Sequence, residues 1–195
     1  MKSSRTWSAP TARRRRPRGL ALLAVAALAT APARAAEWAS FKPQDGRFAV
    51  ELPGAPAVEH DAHWTPVGSI AMTKYWLRAG DALLAVEMHD IPPVAAALVS
   101  DDRILDQARE SLLDDVQGTL IEGHALVFAG APARDFRYRL PGPTPLDEHV
   151  LAVLIGTRLY MVTGMARASI SDPDVVRFFA SFRCWRERDS GAATH

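Results

Sequence analysis

Two apolar stretches, residues 150–155 and 159–165, constrain the fold more than any other feature of this sequence. They are rich in Val, Leu, Ile, Tyr and Met, and Gly156-Thr157-Arg158 joins them. This pattern predicts two β-strands connected by a tight hairpin turn. Because residues 150–155 include no polar side chain, both faces of that strand should be covered. The hairpin is therefore expected inside a sheet rather than at its edge.

The other apolar stretches predict further short strands. Residues 47–51 alternate apolar and polar side chains, as a half-buried strand does, and residues 134–140 repeat that alternation. Prolines and glycines interrupt the pattern after Leu52, so the polar stretch up to Pro66 is predicted to be a loop. In all, strands are predicted at residues 38–41, 47–51, 69–77, 82–89, 119–128, 134–140, 150–155 and 159–165.

Residues 101–117 carry the one long helical pattern. Ser100 or Asp101 is a suitable N-cap, and Gly118 is predicted to end the helix as the residue that follows the C-cap. The apolar stripe expected to face the sheet consists of Ile104, Leu105, Ala108, Leu112, Leu113 and Val116. The charged face expected to be solvated consists of Asp102, Asp106, Arg109, Glu110 and Asp114.

A shorter helix is predicted at residues 174–181, where Ser171, Asp172 and Pro173 match a capped first turn. Its expected buried side consists of Val175, Val176, Phe178, Phe179 and Phe182. The order of strands and helices predicts an α+β domain, in which an antiparallel β-sheet is flanked by helices. Val153 and a phenylalanine of the closing helix should lie in its core.

The order of these elements, together with two short segments, resembles the PsbP-like αβα fold family, which includes PsbP, Mog and DcrB proteins. The segments are Phe48-Ala49-Val50-Glu51-Leu52-Pro53 and Arg177-Phe178-Phe179-Ala180-Ser181-Phe182. The resemblance covers most of residues 41–182 and implies an αβα sandwich. It also implies an accessory or binding module, because characterised members of that fold mostly act in this way. No functional residue of the family can be matched to a position of this chain.

The N-terminal 35 residues have the pattern of a cleaved secretory signal. A basic segment precedes the apolar residues 19–29, and Ala33-Arg34-Ala35 is a small-x-small cleavage pattern. A retained membrane anchor is the alternative, but the apolar segment is shorter than a span of about 20 residues. Both the general secretory and the twin-arginine routes remain open. The expected product is a periplasmic or secreted protein with one domain at residues 36–186 and a disordered tail at residues 187–195.

Removal of that segment reverses the sign of the net charge. The first 35 residues hold eight of the 23 basic residues and none of the 22 acidic ones, so the rest carries 15 basic and 22 acidic residues, a formal charge of −7. A basic surface that follows a phosphate backbone is therefore not expected. Neither nucleic acid nor stable membrane insertion after cleavage is predicted.

No stretch of the sequence combines the side chains of a catalytic site. Its serines lie in no nucleophile motif, and neither a dinucleotide-binding fingerprint nor a P-loop occurs. We therefore expect no enzymatic activity and no cofactor. A metal-dependent enzyme is the remote alternative.

The histidines offer the only metal-ligand pattern. His60 and His63 lie three residues apart beside Glu59 and Asp61, and borderline metals accept such ligands. On a loop between prolines this set is expected to be polar surface, so no metal site is predicted. His124 alternates with apolar residues and is expected to be half-buried.

Cys184 is the only cysteine, so no intramolecular disulfide can form. Its neighbour Arg183 could lower the pKa of the thiol and make it reactive. An inert free thiol is the expected state.

Three arginines on the strand at residues 134–140 are the candidate binding residues. Arg134, Arg137 and Arg139 follow one another closely, and on an alternating strand all but one of them should lie opposite Phe136 and Tyr138. A local positive stripe on an acidic protein suits an acidic envelope protein partner. The alternative is that these arginines pair with acidic residues of a neighbouring strand or helix.

A carrier of a small apolar ligand or lipid is the second functional hypothesis. Its pocket would lie between the sheet and the long helix. The candidate wall residues are Trp64, Met72, Tyr75, Trp76 and Met88.

Overall fold

A seven-stranded antiparallel sheet with helices on both faces forms the centre of the structure, which agrees with the predicted α+β class. The computed structural model describes residues 37–44, 47–65, 68–144, 146–167 and 169–186. In chain order, its elements are β1 (Ala39–Phe41), β2 (Phe48–Leu52), β3 (Ala57–Thr65), β4 (Gly68–Ala79), β5 (Ala82–Asp90), α1 (Pro93–Ala96), α2 (Asp101–Val116), β6 (Thr119–Phe128), β7 (Ala131–Leu140), β8 (Leu146–Ile155), β9 (Arg158–Ala166), α3 (Pro173–Ser181) and β10 (Arg183–Cys184). The predicted signal and tail lie outside the described residues.

The predicted central hairpin is confirmed. The strand order is β3-β4-β5-β9-β8-β7-β6, so β9 is the middle strand and β8 its neighbour. Gly156 and Thr157 form the turn, and Gly156 has φ = 63°, a left-handed value that glycine adopts without steric cost. Val153 has no solvent exposure. The all-apolar segment of β8 is thus covered on both faces, as its sequence requires.

Helix α2 covers one face of the sheet by packing on β7 and β8. The stripe predicted from its sequence lies on this face, where Leu105 is fully buried and its neighbours along the stripe are partly buried. Ser100 is the N-cap and accepts a hydrogen bond from the backbone N–H of Arg103 at 3.3 Å. The apolar stripe therefore holds α2 on the sheet and leaves its charged side for other contacts.

Helix α3 and a small sheet cover the opposite face. The small sheet has the order β1-β2-β10, and Phe48, Val50 and Leu52 of β2 enter the core between it and the large sheet. Phe178 is fully buried on this face, as predicted. The prediction for Val176 was wrong, because this side chain is 54% exposed. It lies beside the i, i+3 stripe of Val175 and Phe178 rather than on it.

The largest error of the sequence analysis concerns β3. The segment predicted to be a loop up to Pro66 is a nine-residue strand that pairs with β4. Residues 57–64 are exposed on both faces, so no alternation of polar and apolar residues marks the strand. Charged residues on an edge strand also discourage pairing with other chains.

Gly118 follows the C-cap of α2, as predicted. Gln117, rather than Gly118, adopts the left-handed conformation, with φ = 53°. Gly118 is needed for a different reason, because a Cβ atom there would lie 2.7 Å from Cδ2 of Tyr138. The glycine lets the chain pass close over that ring.

Candidate functional site

The arginine row of β7 divides between the two faces of the sheet. Arg134 shares the face of Phe136 and Tyr138, under α2, whereas Arg137 and Arg139 lie on the opposite face. This division follows from the alternation of side chains along a strand and confirms that two of the three share one face. The three arginines therefore have separate roles.

Arg134 links β7 to α2 through ion pairs. Its side chain is 9% exposed, and it donates hydrogen bonds to Asp106 at 3.0 Å and to Asp102 at 2.8 Å. The hydrogen bond from Arg134 lowers the pKa of Asp106. Asp102 and Asp106 were predicted to be solvated; Asp102 is 73% exposed, but both also pair with Arg134 of the sheet. Arg134 is thus enclosed by its own chain and offers no surface to a partner.

Arg137 and Arg139 pair with acidic residues of the neighbouring strands but remain accessible. Arg137 pairs with Glu122 on β6. Arg139 donates two parallel hydrogen bonds to Asp147 on β8, from Nε at 2.6 Å and from a terminal nitrogen at 2.9 Å. The hydrogen bond from Arg139 lowers the pKa of Asp147. Arg139 is 54% exposed, so this pair faces water.

A cavity of about 450 Å³ joins these two arginines to a third. Arg167 follows β9, is exposed, and forms no ion pair within the described part of the chain. The segment after it contributes hydroxyl groups from Ser169 and Ser171. We call this site the arginine groove; its lining residues are Arg137, Arg139, Leu146, Asp147, Ala166, Arg167, Ser169, Ile170 and Ser171.

The groove has the chemistry of an anion site. Guanidinium groups present their N–H donors in a fork that fits carboxylate and phosphate oxygens, and serine hydroxyls donate as well. Glu122 and Asp147 already balance Arg137 and Arg139, which leaves Arg167 as the uncompensated positive charge among the described lining residues. That a partner binds here stays a prediction.

A second polar cluster lies on the α2 face of the sheet. Lys74 lies 2.7 Å from Glu87, and Nε2 of His89 lies 3.5 Å from the other oxygen of that carboxylate. Burial would raise the pKa of Glu87, but His89 and Lys74 together lower it. Lys74 and Glu87 form a close ion pair, whereas Nε2 of His89 is buried and has no hydrogen-bond partner among the residues that the structure describes.

Glu148 is the most enclosed carboxyl group of this face, with 7% exposure. Burial raises its pKa, although the hydroxyl of Tyr138, its register partner on β7, donates a hydrogen bond to it. Burial and the charge of Glu148 also raise the pKa of Tyr138. Burial is the main cause of both shifts.

The residues proposed as pocket walls do not converge. Tyr75 and Met88 pack in the core on the α3 face. Trp76 lies on the α2 face instead, and its indole N–H donates a hydrogen bond to Glu59 at 2.7 Å. Trp64 is 75% exposed. The prediction that these residues line one apolar pocket between the sheet and the long helix is therefore wrong.

The histidines and the cysteine take ordinary positions. His60 and His63 lie on opposite faces of β3, since their separation of three residues is odd. No group of three or more His, Cys, Asp or Glu side chains in the described ranges is arranged to hold a metal ion. His124 was predicted to be half-buried but is exposed on the edge strand β6. Cys184 is buried, and burial raises the pKa of its thiol to about 12, which opposes reactivity.

Sequence reasoning missed Arg167, Ser169 and Ser171. They come from the segment between β9 and α3, where the sequence indicates only the capped first turn of α3. Only the pairing of β7, β8 and β9 brings this segment beside Arg139. A basic residue directly after a core strand was the one available signal.

The fold defines a class, the PsbP-like αβα sandwich. The solution structure of cyanobacterial PsbP (CyanoP) from Synechocystis sp. PCC 6803 is similar to this chain, with a TM-score of 0.52 and 15% sequence identity. The match covers 80% of this chain and 96% of CyanoP. The predicted resemblance to the PsbP-like fold is thus confirmed at the level of fold.

The crystal structure of PA94, a Pseudomonas aeruginosa protein of unknown function, matches with a TM-score of only 0.30 and 11% identity. It covers 71% of this chain and 86% of PA94, and so weak a match supports no argument. No protein-family model and no curated protein sequence matches this chain. No helix in the described part of the chain has the length and apolar character needed to cross a bilayer.

Proposed function

We propose that this chain is an exported, non-enzymatic accessory module that docks on an acidic protein partner of the cell envelope. The observation that supports this proposal is the arginine groove, where Arg137, Arg139 and Arg167 line one accessible cavity. Residues 36–195 carry a formal charge of −7, so this concentration of guanidinium groups is local. Local charge complementarity of this kind guides a partner to one face and fixes its orientation.

Arg167 is the best residue with which to test docking. Because Arg167 forms no ion pair among the described residues, Arg167→Glu replaces the uncompensated positive charge of the groove with a negative one and breaks no such ion pair. Arg103 on α2 is a matched control, since it is 59% exposed and its partner Glu110 lies 3.9 Å away. Both variants should keep the melting temperature of the wild type, as surface substitutions usually do.

The experiment immobilises the mature protein and captures partners from an envelope extract of the source organism. The wild type and Arg103→Glu should retain the same protein, and Arg167→Glu should lose it. The captured protein is then purified and its affinity for all three forms is measured. Equal affinity for the three forms would overturn docking through the groove.

A further inference from the structure

Asp147 sits at the position that a bound carboxylate would take in the arginine groove. It meets the guanidinium of Arg139 in a two-pronged arrangement, with distances of 2.6 and 2.9 Å. This is the geometry in which arginine recognises carboxylates of other molecules. The chain therefore already displays, with its own side chain, the type of contact that the groove can form.

We propose that Asp147 is an internal competitor for the groove, and that the ligand is a peptide segment with closely spaced carboxylates. This inference rests on the proposed docking function and names the chemistry of the partner. The first carboxylate of the segment engages Arg167, and a second replaces Asp147 at Arg139. The partner thus exchanges one ion pair for another at Arg139 and adds a new one at Arg167.

Because the Arg139–Asp147 pair lies at the surface, replacing Asp147 with another carboxylate costs little free energy. Asp147 is 35% exposed and Arg139 is 54% exposed, so both groups remain hydrated when they separate. Exposed ion pairs contribute little to stability. The pair of Arg134 differs, because its side chain is 9% exposed and α2 encloses it. The Arg139–Asp147 pair can therefore open without uncovering a buried charge, whereas opening the pairs of Arg134 with Asp102 and Asp106 would uncover one.

Asp147 competes at all times because register fixes it directly opposite Arg139. A tethered group of this kind acts at a high effective concentration. Removing its charge should therefore increase affinity for an acidic peptide, whereas removing the charge of Arg139 should reduce it. This opposite response of two adjacent residues distinguishes competition from simple structural support.

The experiment titrates the mature protein with an end-capped peptide of six glutamates and measures its affinity by calorimetry. Asp147→Asn should tighten binding by about two- to fivefold, the range expected from loss of one exposed ion pair. Arg139→Gln should weaken it. Asp90→Asn is the matched control, because Asp90 forms the same two-pronged pair with Arg158, at 2.7 and 3.0 Å, outside the groove. Its affinity should equal that of the wild type.

Three results would contradict these expectations in different ways. Binding to the wild type with no gain in Asp147→Asn would overturn the competition and leave docking intact. Absence of binding to every variant would overturn the proposed function, and the competition with it. Inorganic phosphate that binds as tightly as the peptide would overturn the assignment to a carboxylate ligand. Asp147→Ala should behave like Asp147→Asn, and melting temperatures verify that each variant is folded.

Discussion

At the scale of single residues, Glu148 is the clearest case of an environment that opposes a charge. It is 7% exposed, and burial raises its pKa above the ordinary value of 4.5. Lys74 favours its ionised form, whereas Glu87 opposes it. The folded protein therefore holds the proton of Glu148 more tightly than the unfolded chain does.

This difference predicts the sign of a pH effect. A raised folded pKa stabilises the fold below the unfolded value, and that contribution is lost as pH rises through the folded pKa. Glu148→Gln removes the ionisation and should accept the hydrogen bond of Tyr138. Its melting temperature should exceed that of the wild type at about pH 7, and the gap should close near pH 4.

Thermal unfolding at the two pH values checks this prediction. Glu110→Gln on α2 is the control, since its carboxylate is 55% exposed and should show no such gap. A lower melting temperature for Glu148→Gln at neutral pH would show that the ionised carboxylate stabilises the fold instead.

At the scale of elements, the approach of α3 to the sheet depends on a residue without a side chain. A Cβ atom at Gly164 of β9 would lie 2.8 Å from Cε2 of Phe179 and 3.0 Å from Cγ1 of Val175. Both contacts are shorter than normal packing allows. The helix therefore lies close to β9 because this position is glycine.

Gly164→Ala should destabilise the protein by about 1–3 kcal/mol, as overpacking of a core does. Gly54→Ala is the control, because a Cβ atom there meets nothing within 4 Å, and its effect should stay within about 0.5 kcal/mol. Denaturant unfolding measures both. Equal stability of the two variants would show that α3 shifts freely on the sheet.

The elements that could be predicted from the sequence either bury one apolar face or are covered on both faces. The all-apolar part of β8 and the stripe of α2 both bury their pattern against the sheet, so period and composition were sufficient. Strand β3 could not be predicted, because both of its faces are exposed and its apolar residues therefore follow no periodic pattern. The close approach at Gly164 also leaves no pattern in a strand made mostly of apolar residues.

The candidate site was predictable only in part, for the same physical reason. Alternation along β7 placed Arg137 and Arg139 on one face, and this was correct. Their neighbour Arg167 joins them through tertiary structure, which local spacing does not encode. The enclosure of Arg134 depends on where α2 packs, so its role emerged only from the fold.

At the scale of the whole molecule, the proposed export would change the net charge of the protein. The first 35 residues contribute eight basic residues and no acidic ones, so their removal leaves an acidic body around a positive groove. We predict cleavage after Ala35. Intact-mass measurement of protein from the periplasm should give an N-terminus at Ala36, whereas a cytoplasmic pool that retains Met1 would contradict export.

Mapping by NMR shows whether an acidic peptide binds in the arginine groove, as proposed. Backbone amide signals of the isotope-labelled mature protein are followed as the hexaglutamate peptide is added. We expect the largest shifts at the residues that line the groove, namely Arg137, Arg139, Leu146, Asp147, Ala166, Arg167, Ser169, Ile170 and Ser171. Shifts concentrated on the opposite face, around Lys74 and α2, would contradict it.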